Sequence, residues 1–172
     1  MEELKTVIRD VPDFPKAGIL FKDITPVLTD GACFRRVTEN LHSRYADKKI
    51  DAVVGVEARG FIFGAALACA LNAGLVIIRK PGKLPYATYK KPYALEYGTD
   101  AVEIHQDAIR SGQRLLIVDD VLATGGTVGA VINLIKENFS AEIVELTFVI
   151  ELDFLKGRDK LAGLPVHSLV HF

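Results

Sequence analysis

The chain has 172 residues, 49% of them apolar and 25% charged, a size and balance that suit one globular domain with a full hydrophobic core. Lys and Arg number 21 against 22 Asp and Glu, for a formal charge of −1, which argues against a general binder of nucleic acid or of membrane surfaces. The first five residues are charged and lack the apolar stretch of a signal peptide, and no run reaches the length that spans a bilayer.

Taken in chain order, Leu4, Val7, Ile8 and Val11 have helical spacing, and Pro12 ends that helix. Residues 13–29 show no regular period and read as a long functional loop. Asp30 is placed to cap a helix whose apolar face is Phe34, Val37, Leu41 and Tyr45. The β-branched run at residues 52–56 predicts a strand, residues 61–73 a buried helix, and residues 75–78 a second strand. Between residues 82 and 106 the chain turns Tyr-, Lys- and Pro-rich, consistent with a mobile loop and a small antiparallel excursion. Residues 115–118 form a third apolar strand, Val128, Val131, Ile132 and Ile135 mark a helix, and residues 143–150 form an almost continuously apolar fourth strand. Residues 166–172 close the chain as an edge strand. Apolar strands separated by helices predict an α/β domain over residues 1–172, with a central, mostly parallel sheet flanked by helices. Cys33 and Cys69 stand alone and are expected to be buried free thiols in a reducing, cytoplasmic compartment.

Ligands of such sheets bind at the carboxyl ends of strands. The informative segment there is Val118-Asp119-Asp120-Val121-Leu122-Ala123-Thr124-Gly125-Gly126-Thr127. Glycines let backbone amides approach a ligand, and the unpaired N–H groups of a helix start favour an anion, so Ala123 through Thr127 read as a phosphate turn. Asp119 and Asp120 supply acceptors for vicinal hydroxyls, and together the two parts describe a ribose 5-phosphate site. No Lys follows the glycines, which separates the turn from nucleoside-triphosphate loops.

The segment resembles the signature of the type I phosphoribosyltransferases. The resemblance extends, in order, through residues 13–24, Val56-Glu57-Ala58-Arg59-Gly60-Phe61, Arg79-Lys80-Pro81-Gly82-Lys83-Leu84-Pro85 and Leu95-Glu96-Tyr97-Gly98, blocks that look like the adenine-specific members. It implies a Rossmann-like fold with a small hood at residues 12–29 and a flexible catalytic loop at residues 81–93. It also implies transfer of a phosphoribosyl group from phosphoribosyl pyrophosphate (PRPP) to adenine, giving AMP and pyrophosphate in purine salvage. Glu57, Ala58 and Arg59, with Arg79 and Lys83, would then meet pyrophosphate; a surface Arg59 paired with Glu57 is the plainer alternative. Lys80 belongs to the same cationic run, which on its own would be a solvated face. Leu20, Phe21 and Lys22 would form the adenine-side hood and Leu152 the other face of the base, with a backbone carbonyl of the hood accepting the 6-amino proton. Lys22 departs from relatives that often carry Arg there, keeping the charge without the planar fork.

By the same resemblance Glu96 is the catalytic proton acceptor, while Tyr86, Tyr89 and Tyr93 receive no chemical role. Mg²⁺ is implied, held through substrate oxygens and water with no all-protein cage, and a homodimer is implied as well. His42, His105, His167 and His171 lack ligand-like spacing and read as structural or surface residues. Alternatives are a transferase for hypoxanthine or xanthine, or a regulator that senses PRPP without catalysis; the absence of spare length and basic excess weighs against the regulator.

Overall fold

A computed structural model describes residues 1–94, 99–161 and 163–172. The chain opens with α1 (Leu4–Val7), then β1 (Arg9–Pro12) and β2 (Leu20–Asp23), which pair antiparallel with Asp10 opposite Lys22. The helix expected up to Pro12 is therefore a single turn, and Val11 lies in a strand opposite Phe21. The irregular stretch expected at 13–29 likewise holds β2 and α2 (Thr25–Thr29). A pairing partner found only across a turn leaves no period in the local sequence, which is why neither strand was legible.

Asp30 caps α3 (Gly31–Tyr45), its carboxylate accepting from the Ala32 and Cys33 amides, as the sequence predicts. Val37, Leu41 and Tyr45 are buried with Cys33, and Phe34 packs at the edge of the same cluster. There follow β3 (Ala52–Val56), α4 (Gly60–Leu71), β4 (Gly74–Ile78), the antiparallel pair β5 (Thr88–Ala94) and β6 (Thr99–His105), β7 (Arg114–Leu122), α5 (Gly126–Asn138), β8 (Glu142–Glu151), two short 3-10 turns (Asp153–Leu155, Gly157–Leu161) and β9 (Val166–His171). The excursion expected after Gly82 is this β5–β6 hairpin, so Thr88 to Tyr93 of the expected catalytic loop are strand.

Five strands form one parallel sheet in the order β4-β3-β7-β8-β9, with β9 at an edge as expected. Alternation along β7 sends Leu115 and Ile117 to one face and Leu116 and Val118 to the other. The first face is covered by α5 through Val128, Val131 and Ile135 and by the hairpin through Val102 and Ile104. The second is covered by α3 and α4 through Leu41, Phe63 and Leu67. Each such buried side chain stabilises the fold by about 1.5–3 kcal/mol. β8 is less uniformly apolar than its sequence suggests, since it buries Glu145, Thr147 and Glu151. Cys33 is buried, but Cys69 is exposed, contrary to expectation, because it lies on the outer side of α4.

Candidate active site

The carboxyl ends of β3 and β7 open into a cleft of about 420 Å³. Its lining brings together Leu20, Phe21 and Lys22 from β2, Glu57, Ala58 and Arg59 after β3, Asp119 and Asp120, Ala123 and Thr127, and Leu152 after β8. A smaller recess of about 80 Å³ adjoins it and is lined by Ala123, Thr124, Gly125, Gly126 and Thr127. Asp119, Val121, Ala123 and Thr127 belong to both, so the two lie side by side.

The recess owes its form to the entry of α5. Gly125 takes a left-handed conformation (φ 74°), which turns the chain sharply into the helix, and no acidic residue occupies the first turn. The unpaired amides of that turn therefore meet no carboxylate from their own helix.

Asp119 and Asp120 do not lie beyond the strand, as the sequence suggests, but within it. β7 continues to Leu122 paired only with β8, because its pairing to β3 stops at Val118. With β3 gone from that edge, both carboxylates border the cleft although strand alternation turns them apart. Asp120 is 5% exposed and is held by the Arg59 guanidinium, while its amide donates to Asp119 Oδ1 at 2.9 Å. Burial, and then the neighbouring Asp120 charge, push the Asp119 carboxyl well above the usual carboxylate range. Gly60 opens α4 so close to this pair that a Cβ there would lie 2.8 Å from Asp119 Oδ1.

Arg59 thus pairs with Asp120 rather than with Glu57, and its guanidinium stands 5.3 Å from the Phe21 ring. Glu57 accepts instead from Arg79 Nε at 2.9 Å and from the Lys80 amide at 2.7 Å. Burial opposes ionisation of Glu57, but the Lys80 amide and the Arg79 guanidinium outweigh it and hold the carboxyl below its ordinary value. Of the expected pyrophosphate cations, Arg79 is spent on Glu57, and neither it nor Lys83 lines the cleft. Lys80 does, with its ammonium on the Asp100 carboxylate and 2.7 Å from the Tyr93 hydroxyl. Burial works against that charge, but Asp100 and Tyr93 outweigh it and raise the Lys80 pKa.

On the other side, Phe21 meets Phe14 edge to face at 5.2 Å, and Leu152 and Leu155 supply apolar surface. Lys22 is drawn to Asp10 Oδ1 at 2.5 Å and lies 3.9 Å above the Phe172 ring, so its charge is partnered within the fold. Ile19, Val121 and Leu155 also line the cleft and carried no signal in the sequence beyond being apolar. Glu96 lies outside the described residues.

The histidines include one surprise. His171 Nδ1 is 2.9 Å from Asp153 Oδ1, and with Glu151 these groups gather within 4.8 Å. Glu151, however, already accepts from Arg158 at 2.5 and 2.7 Å and from Ser168 at 2.5 Å, which makes the group an ion-pair network.

The chain that builds this cleft has counterparts among known proteins. Residues 27–163 match the family model described as phosphoribosyl transferase domain. An adenine phosphoribosyltransferase of Geobacter metallireducens is 60% identical over 172 residues, covering all of both chains. The crystal structure of the adenine phosphoribosyltransferase from Thermoanaerobacter pseudethanolicus superposes with a TM-score of 0.95 at 51% identity, covering 99% of each chain. That of the Saccharomyces cerevisiae enzyme, complexed with adenine and an imino-altritol bisphosphate, gives 0.92 at 43% identity over 98% of this chain and 97% of that one. Similarity that runs from end to end and keeps the backbone of the groove leaves one conclusion, that the chain belongs to the type I phosphoribosyltransferases, in the adenine phosphoribosyltransferase family.

Proposed function

We propose that the cleft transfers the phosphoribosyl group of PRPP to adenine, releasing pyrophosphate and forming AMP in purine salvage. The observation that carries this reading is that the 80 Å³ recess adjoins the larger cleft, with Asp119 and Thr127 lining both, which fits a sugar phosphate next to a base. The yeast relative's complex with adenine supports the choice of base.

In this reading the amides of Ala123 to Thr127 and the Thr124 hydroxyl hold the 5′-phosphate, and Asp119 and Asp120 accept from the ribose hydroxyls. Arg59 keeps the pair's charge tolerable and, with Lys80, faces the pyrophosphate. The adenine ring lies between Phe21 and Leu152, and the β2 backbone selects its 6-amino group. As the bond to pyrophosphate breaks, the sugar becomes oxocarbenium-like and adenine loses a proton. Glu96 is assigned that proton, and Glu96→Gln should lower turnover by about 10²–10⁴-fold with little effect on binding. Closure of residues 81–87, the part of the expected catalytic loop that precedes β5, over the cleft would exclude the water that hydrolyses the activated sugar.

Mg²⁺ fits this cleft mainly through the substrate. Asp119 and Asp120 offer hard oxygens, but Asp120 is taken by Arg59 and Asp119 is pushed toward its protonated form, so contact through water or ribose oxygens suits them better. When bound, the ion neutralises pyrophosphate charge and improves the leaving group. A homodimer is supported by the apolar outer side of α4 and β4, where Ile62, Cys69 and Leu75 are exposed. Two free thiols suit a cytoplasmic location, and among the described residues no helix is long and apolar enough to cross a membrane.

The test is incubation with PRPP, Mg²⁺ and, separately, adenine, hypoxanthine and xanthine. AMP formation should exceed the other products by orders of magnitude. Comparable rates with a 6-oxo purine, or no product with adenine, would contradict the reading.

A further inference from the structure

Tyr93 joins parts of the site that belong to three separate segments. Its hydroxyl accepts from Lys80 Nζ at 2.7 Å and from Thr127 Oγ1 at 3.3 Å, and donates to Asp100 Oδ2 at 3.2 Å. Lys80 follows β4 and lines the cleft, Thr127 belongs to the phosphate turn, and Tyr93 and Asp100 are opposed on the β5–β6 hairpin. The Lys80 ammonium also lies 5.3 Å from the Tyr93 ring centroid, so ring and hydroxyl both confine it. The neighbouring Tyr89 serves a different purpose, since its ring packs edge to face on Phe139 at 5.5 Å against the core.

We propose that the Tyr93 hydroxyl is a positioning group of the transfer reaction, aiming Lys80 at the pyrophosphate and, through Thr127, anchoring the turn whose amides meet the 5′-phosphate of the same substrate. The inference rests on the function proposed above. It follows from what one hydroxyl can do, since its one proton goes to Asp100 and its two lone pairs take Lys80 and Thr127, so that among the described residues it joins the cleft-lining ammonium to the phosphate turn. Loss of the oxygen leaves Lys80 held by Asp100 and the remaining ring, and leaves the phosphate turn without its tie to the hairpin. The two ends of PRPP are then met by groups no longer held in register, whereas adenine, on the far side against Phe21 and Leu152, is unaffected.

Tyr93→Phe removes the hydroxyl and keeps the ring, and Tyr89→Phe is the control on the same strand. The Tyr93→Phe protein should show KM for PRPP raised, or kcat lowered, by roughly three- to tenfold, with KM for adenine changed less than twofold and Tm near that of the parent. Tyr89→Phe should match the parent in all three. Tyr93→Phe kinetics equal to the parent's, or equal rises in both KM values with a lowered Tm, would overturn the positioning role while leaving the assigned activity intact. A parent protein that makes no AMP would overturn the assigned activity and this inference with it.

Discussion

Gly125 and Gly157 interlock. A Cβ on Gly125 would lie 2.4 Å from the Gly157 carbonyl oxygen, and a Cβ on Gly157 would lie 2.2 Å from the Ala123 carbonyl oxygen. The phosphate turn before α5 therefore rests on the 3-10 turn that begins at Gly157, and neither side has room for a methyl group. Gly157→Ala should push the two backbones apart at a cost of about 1–3 kcal/mol and raise KM for PRPP more than KM for adenine. Thermal unfolding and steady-state kinetics on the variant check both halves; an unchanged KM for PRPP would mean that the turn does not depend on this contact.

The Asp119 carboxyl is pushed upward by burial and by Asp120, and Arg59 partly offsets the shift. As the pH falls through a raised pKa, Asp119 gains a proton and loses acceptor capacity for the ribose hydroxyls. The acid limb of kcat/KM for PRPP should thus stand above the ordinary carboxylate range, and Arg59→Gln should move it higher still. A limb that stays in place in Arg59→Gln, by a pH series from 4 to 9, would detach Arg59 from the pair.

Glu145 tests the fold away from the site. It is 3% exposed and accepts from Arg44 and Lys48, each at 2.5 Å. Burial opposes its charge, but the Arg44 and Lys48 contacts outweigh it and hold the carboxyl below its ordinary value of 4.5. A lowered folded-state pKa gives stability that is present above 4.5 and lost as pH falls through the lower folded value. Glu145→Gln should therefore have a lower Tm at pH 7, and the gap should close under acid. A constant gap across that range would refute the linkage.

Phe21 presents its ring to the cleft from β2, braced by Phe14. Phe21→Ala should raise KM for adenine roughly tenfold, since an aromatic stacking contact is worth about 0.5–1.5 kcal/mol beyond its area, and leave KM for PRPP within twofold. Equal effects on both substrates would place the base elsewhere.

The main sheet was legible because β3 and the first half of β7 are apolar on both faces and β8 is largely apolar, a pattern that local sequence states directly. The phosphate turn was legible because Gly125, Gly126 and two threonines lie consecutively after such a strand. Partners distant in sequence were not. Arg59 reaches Asp120 across 61 positions, whereas Glu57 at hand took Arg79 and the Lys80 amide instead. The cationic run after β4 reads as three equal charges, yet Glu57 draws Arg79 aside while Asp100 and Tyr93 hold Lys80 at the cleft. Gly157 lies in an unremarkable Lys-Gly-Arg stretch, and only its packing on Ala123 and Gly125 reveals its part.

How one nucleotide occupies the cleft and its adjoining recess is tested most directly by a crystal structure of the protein with AMP. The 5′-phosphate should lie on the amides of residues 123–127, the ribose hydroxyls on Asp119 and Asp120, and the adenine between Phe21 and Leu152. AMP bound elsewhere, or lying in the cleft with its phosphate away from that turn, would contradict it.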